Sequence, residues 1–215
     1  MTTSSDAFVR IAGYSGPGRV FLYLIFMLSG FAALLYQLAW QRALYTILGT
    51  DIASATIVVT AFLLGLGLGS LLGGVLAKAA PHAALAFFAA FEISLGLFGA
   101  SSLDLFAWAA EHFAAISFAE TAVYSFFAVA FPTILMGATL PLLVAHDIAA
   151  SRNVGQSFGS LYFANTAGAA LGAVAAVTIL FGVFGLAGTT HIAATLNAIL
   201  ATGAAGLYWQ SRGRA

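Results

Sequence analysis

The stretch Ala61–Gly74, AFLLGLGLGSLLGG, carries no charge, and glycine recurs at every fourth position: Gly65, Gly69 and Gly73. In a water-exposed helix each glycine would cost about 1 kcal/mol against alanine. In lipid the backbone must stay hydrogen-bonded, and a strip of small residues lets a second helix lie close. The stretch therefore reads as a membrane helix with a packing face. Composition agrees. Of 215 residues, 62% are hydrophobic and 7% charged, against about 25% charged in a soluble domain. Seven basic and seven acidic residues cannot coat a water-soluble exterior, so lipid must do the covering. The formal net charge of zero points away from nucleic acid. The absence of cysteine excludes disulfides, thiolate metal sites and cysteine nucleophiles.

A spanning helix needs about 20 mostly apolar residues. That rule predicts an all-α integral membrane fold with six transmembrane helices, at about 20–40, 52–77, 83–101, 120–145, 158–184 and 189–209. Residues 1–19 and 210–215 then form cytoplasmic tails around a single domain, 20–209. The first apolar run is too long for a signal-peptide core and is read as the first span. Six spans put Arg10, Arg19, Lys78, Arg152, Arg212 and Arg214 on one side and only Arg42 on the other. The positive-inside bias then places both termini in the cytoplasm. The segment 104–113, DLFAWAAEHF, reads as amphipathic, and Pro132 and Pro141 are expected to bend or break the fourth helix. Helix five carries a second small-residue ladder: Ser160, Ala164, Gly168, Gly172 and Ala176. The Gly168/Gly172 ladder is a plausible mate for Gly65/Gly69/Gly73. Two laddered helices, each followed by a less glycine-rich one, are consistent with two inverted three-helix units, a common plan in transport folds.

Polar residues inside such spans are expensive and therefore informative. Glu92 lies about ten residues into its helix, near mid-membrane. It reads either as a proton- or cation-linked site or as a polar clamp to a neighbouring helix. Asn165 and Thr166 form a second mid-span polar pair, whose amide is expected to reach the helix bearing Glu92. Gln37 and Arg42 lie within two turns on helix one. Arg42 either snorkels to the headgroups or pairs with Glu92, Glu120 or Asp51. Thr133 and Thr139, beside backbone groups freed by Pro132 and Pro141, form a possible binding element. The four histidines are dispersed, without helical pairing. No metal, cofactor or catalytic residue is predicted.

Four ordered phrases, LSGFAALLYQLAWQR (28–42), AFLLGLGLGSLLGG, PTILMGATLPLL (132–143) and VGQSFGSLYFANTAGAALGA (154–173), resemble the N-terminal membrane domain of fused spermidine-synthase-like proteins. That domain is often described as major-facilitator-like, which would make this chain half of such a fold. Tyr36, Trp40 and Arg42 match the end of the family's first helix, where Gln37 replaces a glutamate, and Glu92 matches the glutamate of its third. Family members commonly continue into a soluble aminopropyltransferase-like domain. This chain stops at Ala215 and has no Gly-x-Gly loop followed by an acidic strand end to hold a nucleoside cofactor, so no enzymatic activity is expected.

Two functions compete. One is a transporter-like half-bundle for an unknown small substrate, built around Glu92. The other is a scaffold or accessory subunit, docking on a larger membrane complex or a separate spermidine-synthase-like partner. Expected partners are the lipid bilayer and either further copies or a larger complex. The expected location is a bacterial cytoplasmic membrane.

Overall fold

A computed structural model describes residues 16–49, 51–113 and 117–212. Within them the chain is all helical: α1 (Gly16–Leu48), α2 (Asp51–Ala79), a short 3-10 turn (Pro81–Ala83), α3 (Ala84–Phe113), α4 (Phe118–Ser151) and α5 (Val154–Ala175). A π-helical turn (Ala176–Leu180) then leads directly into α6 (Phe181–Arg212). Local chemistry sets several ends. Ser117 and Glu120 make the S-x-x-E start of α4, with the Ser117 hydroxyl accepting from the Glu120 N–H. Asn153 caps α5 in the same way, accepting from the Gln156 N–H at 3.0 Å. Gly49 closes α1 at a φ of 73°, a backbone conformation that glycine adopts without steric cost.

The expectation of six separate transmembrane helices is corrected. Among the described residues five helical stretches are long and apolar enough to cross a membrane, and the fifth is one continuous run, Val154–Gln210, of 57 residues. The predicted fifth and sixth spans belong to that run. Hydropathy found a boundary near residues 184–189 that the chain does not mark with a polar loop. Helical hydrogen bonding passes through the π turn and resumes around Gly185. Gly185 is the one non-helical residue of α6, at φ 65° and ψ −172°, a region essentially reserved for glycine. The inverted three-helix plan rested on six spans and falls with that count; both termini, expected in the cytoplasm, lie outside the described residues. Most residues of the tails, 1–15 and 213–215, lie outside the described residues.

The run bends sharply. Along α5, Gly168 packs on Met27 and Gly172 on Phe31 of α1, so these two segments run in the same direction. Along α6, Asn197 meets Tyr36 while Gly203 meets Ile25 and Phe21, so α6 runs opposite to α1. The two arms therefore embrace α1, which also contacts α2, α3 and α4.

Both small-residue ladders are spent inside this bundle, though not on each other. Gly65 lies against Thr133 and Ala130, Gly69 against Ile134 and Ala138, and Gly73 against Ala138, seating α2 on α4. Gly168 and Gly172 seat α5 on α1. At these glycines a Cβ would strike backbone or β-carbon atoms that cannot retreat, so the close approach depends on their having none. Two further points concern α3 and α4. α4 is not broken at Pro132 or Pro141 and remains one helix, and the amphipathic segment 104–113 is the end of α3 rather than a separate element. The apolar core centres on Trp40, which stacks on Tyr36 at 5.2 Å and meets Phe98 and Phe106 edge-on. Its indole N–H donates to the Ser102 hydroxyl at 2.9 Å.

Candidate functional site

The two arginines of α1, taken to lie at headgroup level, define depth. Arg19 and Arg42 are 23 positions apart, or about 35 Å at 1.5 Å per residue, slightly more than the hydrocarbon core. Ser29 to Ala33 therefore lie near the membrane midplane, and Gln37 lies about 10 Å from it toward Arg42.

Glu92 projects from α3 at this depth and is fully buried, with 0% of its surface exposed. Both carboxyl oxygens are engaged by neutral groups. The Ser29 hydroxyl of α1 donates to Oε1 at 2.6 Å, and the Asn197 amide of α6 donates to Oε2 at 2.6 Å. The other end of that amide, Oδ1, accepts from the Tyr36 hydroxyl at 2.8 Å. Tyr36, Asn197, Glu92 and Ser29 thus form one chain of hydrogen bonds through three helices. Glycine makes room for it. Gly96, one turn beyond Glu92, lies beside Ala194 and Asn197 and brings α6 close. Gly99 lies under the ring of Tyr36. The spacing E-x3-G-x2-G on α3 thereby sets a carboxyl and the space for its partners on one helix face.

Beside this chain is a cavity of about 110 Å³ to which every helix, α1 to α6, contributes. Ser29, Gln37, Thr139, Asn165 and Asn197 supply its polar wall, and Phe62 and Met136 part of its apolar wall. Gln37 is half-buried and makes no hydrogen bond within the chain among the described residues. Thr139 donates to the Met136 carbonyl at 2.6 Å, and the Asn165 amide donates to the Phe26 carbonyl at 3.1 Å.

Of the seven predicted polar residues, the structure brings Gln37, Thr139 and Asn165 to this cavity and sets Glu92 one hydrogen bond behind it. The other three lie elsewhere. Thr133 is consumed by helix packing, its hydroxyl within 3.2 Å of the Ala61 carbonyl of α2 and within 2.8 Å of Ala130. Thr166 faces outward from α5 and is exposed. Arg42 is exposed, and its guanidinium lies 4.8 Å from the centre of the Phe181 ring. It sits about 20 Å along α1 from Ser29, too far to pair with Glu92. The expected link from Asn165 to the Glu92 helix is made instead by Asn197. The signal for Asn197 was a single side-chain amide in the apolar run IAATLNAILATG.

A second buried acid marks one end of the bundle. Asp147, near the end of α4, accepts from Nε and Nη2 of Arg19, both at 3.0 Å, and from the Tyr23 hydroxyl at 3.3 Å. Its side chain is fully buried, whereas that of Arg19 is 27% exposed. This forked pair ties the start of α1 to the end of α4.

Among the described residues no cluster of three or more histidine, aspartate or glutamate side chains could hold a metal ion. No protein-family model, curated protein or solved structure matches this chain. The likeness to the membrane domain of spermidine-synthase-like proteins thus rests on the sequence phrases alone. The geometry shows an all-α, apolar helical bundle, consistent with a membrane protein, with a cavity to which every helix contributes and whose mostly apolar wall carries five polar side chains.

Proposed function

We propose that the protein is a membrane transport module whose small polar substrate passes through the central cavity. The observation that carries this reading is the cavity itself: a space near the membrane midplane with five polar side chains set in an apolar wall, reached by all six helices and backed by a buried carboxyl. Intramembrane ionisable groups facing a cavity mark substrate and ion paths. A space to which every helix contributes is also one that any rearrangement of the helices must reshape. The scaffold alternative drew on glycine ladders free to dock a partner. Both ladders are occupied within the chain, which removes that support. We further read the chain as non-enzymatic, as a distant relative of the spermidine-synthase-like membrane domain, and as resident in a bacterial cytoplasmic membrane.

A test that needs no known substrate uses the natural absence of cysteine. Ala33→Cys and Ala169→Cys place one thiol each on the cavity wall. In sealed proteoliposomes of uniform orientation, a small charged thiol reagent should label each variant from either side. Labelling from one side only, or from neither, would overturn the transport reading.

A further inference from the structure

Both hydroxyl hydrogens of the cavity wall are committed, and every polar group there keeps an oxygen lone pair, which bears on the charge of what the cavity accepts. Ser29 gives its one hydroxyl hydrogen to Glu92, and Thr139 gives its hydrogen to the Met136 carbonyl. Asn165 spends an amide hydrogen on the Phe26 carbonyl, and Asn197 spends one on Glu92. What remains on Ser29 and Thr139 is oxygen lone pairs, and on Asn165 the amide oxygen with one N–H. Gln37 adds an amide without a partner among the described residues. No lysine, arginine or histidine is among the lining residues. The two nearest basic side chains on α1 are held elsewhere, Arg19 by Asp147 and Arg42 over Phe181.

We infer that the cavity is a binding site for a small monovalent cation, held by the oxygens of Gln37, Asn165, Ser29 and Thr139. Glu92 sits behind this wall, one hydrogen bond away through Ser29. An anion would meet an acceptor-rich wall with a carboxyl behind it. A neutral apolar guest would leave the Gln37 amide unsatisfied at membrane depth, which costs free energy. A cation reverses both penalties. At about 110 Å³ the cavity takes an ion with a few waters, or a small primary ammonium, and excludes bulky organic cations. The substrate class follows only if the cavity is the transport site, but the binding site itself stands independently of transport.

The experiment compares thermal unfolding of the purified full chain in sodium, potassium or methylammonium chloride with that in N-methylglucamine chloride at equal ionic strength. At least one small cation should raise the unfolding temperature saturably, as a ligand bound only to the folded state must. In Gln37→Leu, which breaks no hydrogen bond made among the described residues, the apparent affinity should fall about tenfold or more. Thr166→Ala, on the outer face, should leave it unchanged. Equal stabilisation by N-methylglucamine, or an undiminished shift in Gln37→Leu, would overturn the inference. The thiol-labelling test separates the two proposals. Cation binding with one-sided labelling removes transport and leaves the site. Two-sided labelling without cation binding removes the site and leaves transport.

Discussion

Glu92 and Asp147 are both acids with fully buried side chains, yet the bundle treats them in opposite ways. Asp147 lies at the end of α4 and meets a guanidinium that grips both of its oxygens. Glu92 lies at mid-membrane and meets only neutral donors, beside open space. A fork of charge-assisted hydrogen bonds fixes one geometry and tolerates little change. A serine hydroxyl and an asparagine amide leave more freedom. The serine can donate or accept, and the asparagine can turn over if Tyr36 reverses its own role from donor to acceptor. Asp147 thus reads as a structural tie, and Glu92 as a group placed where charge can be received.

The largest effect should come from breaking the close packing around which both acids are arranged. Gly168→Val drives a branched side chain into the Met27 backbone. It should cost about 3 kcal/mol or more through overpacking, seen as aggregation or a steep fall in unfolding temperature in detergent. Next, Asp147→Ala leaves Arg19 without its partner. Breaking a buried pair costs about 3–5 kcal/mol, and the partial exposure of Arg19 puts this variant at the lower end. The double variant Arg19→Met/Asp147→Leu should recover much of the loss; failure to recover would show that the pair does more than tie two helices.

Glu92→Gln sharpens the contrast. Its amide can keep the Ser29 contact and face a turned Asn197, so stability should drop by only about 1 kcal/mol while cation-dependent stabilisation is lost. A fall as large as that of Asp147→Ala would erase the distinction between the acids. Tyr36→Phe removes the outermost hydroxyl of the network and should cost about 1 kcal/mol, measurable by chemical or thermal unfolding. Thr166→Ala should shift stability by less than about 0.5 kcal/mol, because its side chain faces away from the bundle.

Much of the fold was legible because lipid imposes simple rules. Long uncharged runs must be helical, and the spacing of Gly65, Gly69 and Gly73 marks a close helix contact. What such spacing does not carry is the identity of the mate: α2 chose α4 and α5 chose α1. Hydropathy placed a boundary at 184–189, and the chain does reverse at Gly185, but by a glycine conformation inside one continuous apolar run rather than by a polar loop between separate helices. For the site, a carboxylate amid apolar residues announced Glu92, and Gln37, Thr139 and Asn165 followed from the same cost argument. Ser29, Tyr36 and Asn197 are ordinary residues for a membrane helix, and only their convergence makes them a network.

The amino-acid sequence by itself determined the solvent, the helical class and the list of polar groups that had to find partners. Each of these depends on a property of a residue or of a short run: transfer cost, helical period or side-chain volume. Tertiary structure alone decided which partners were found. It set Asn197 rather than Asn165 against Glu92, gave Asp147 to Arg19, left Arg42 over Phe181, and opened a cavity where six helices converge. Those outcomes depend on helix pairing and direction across residues far apart in the chain, and no local periodicity encodes them.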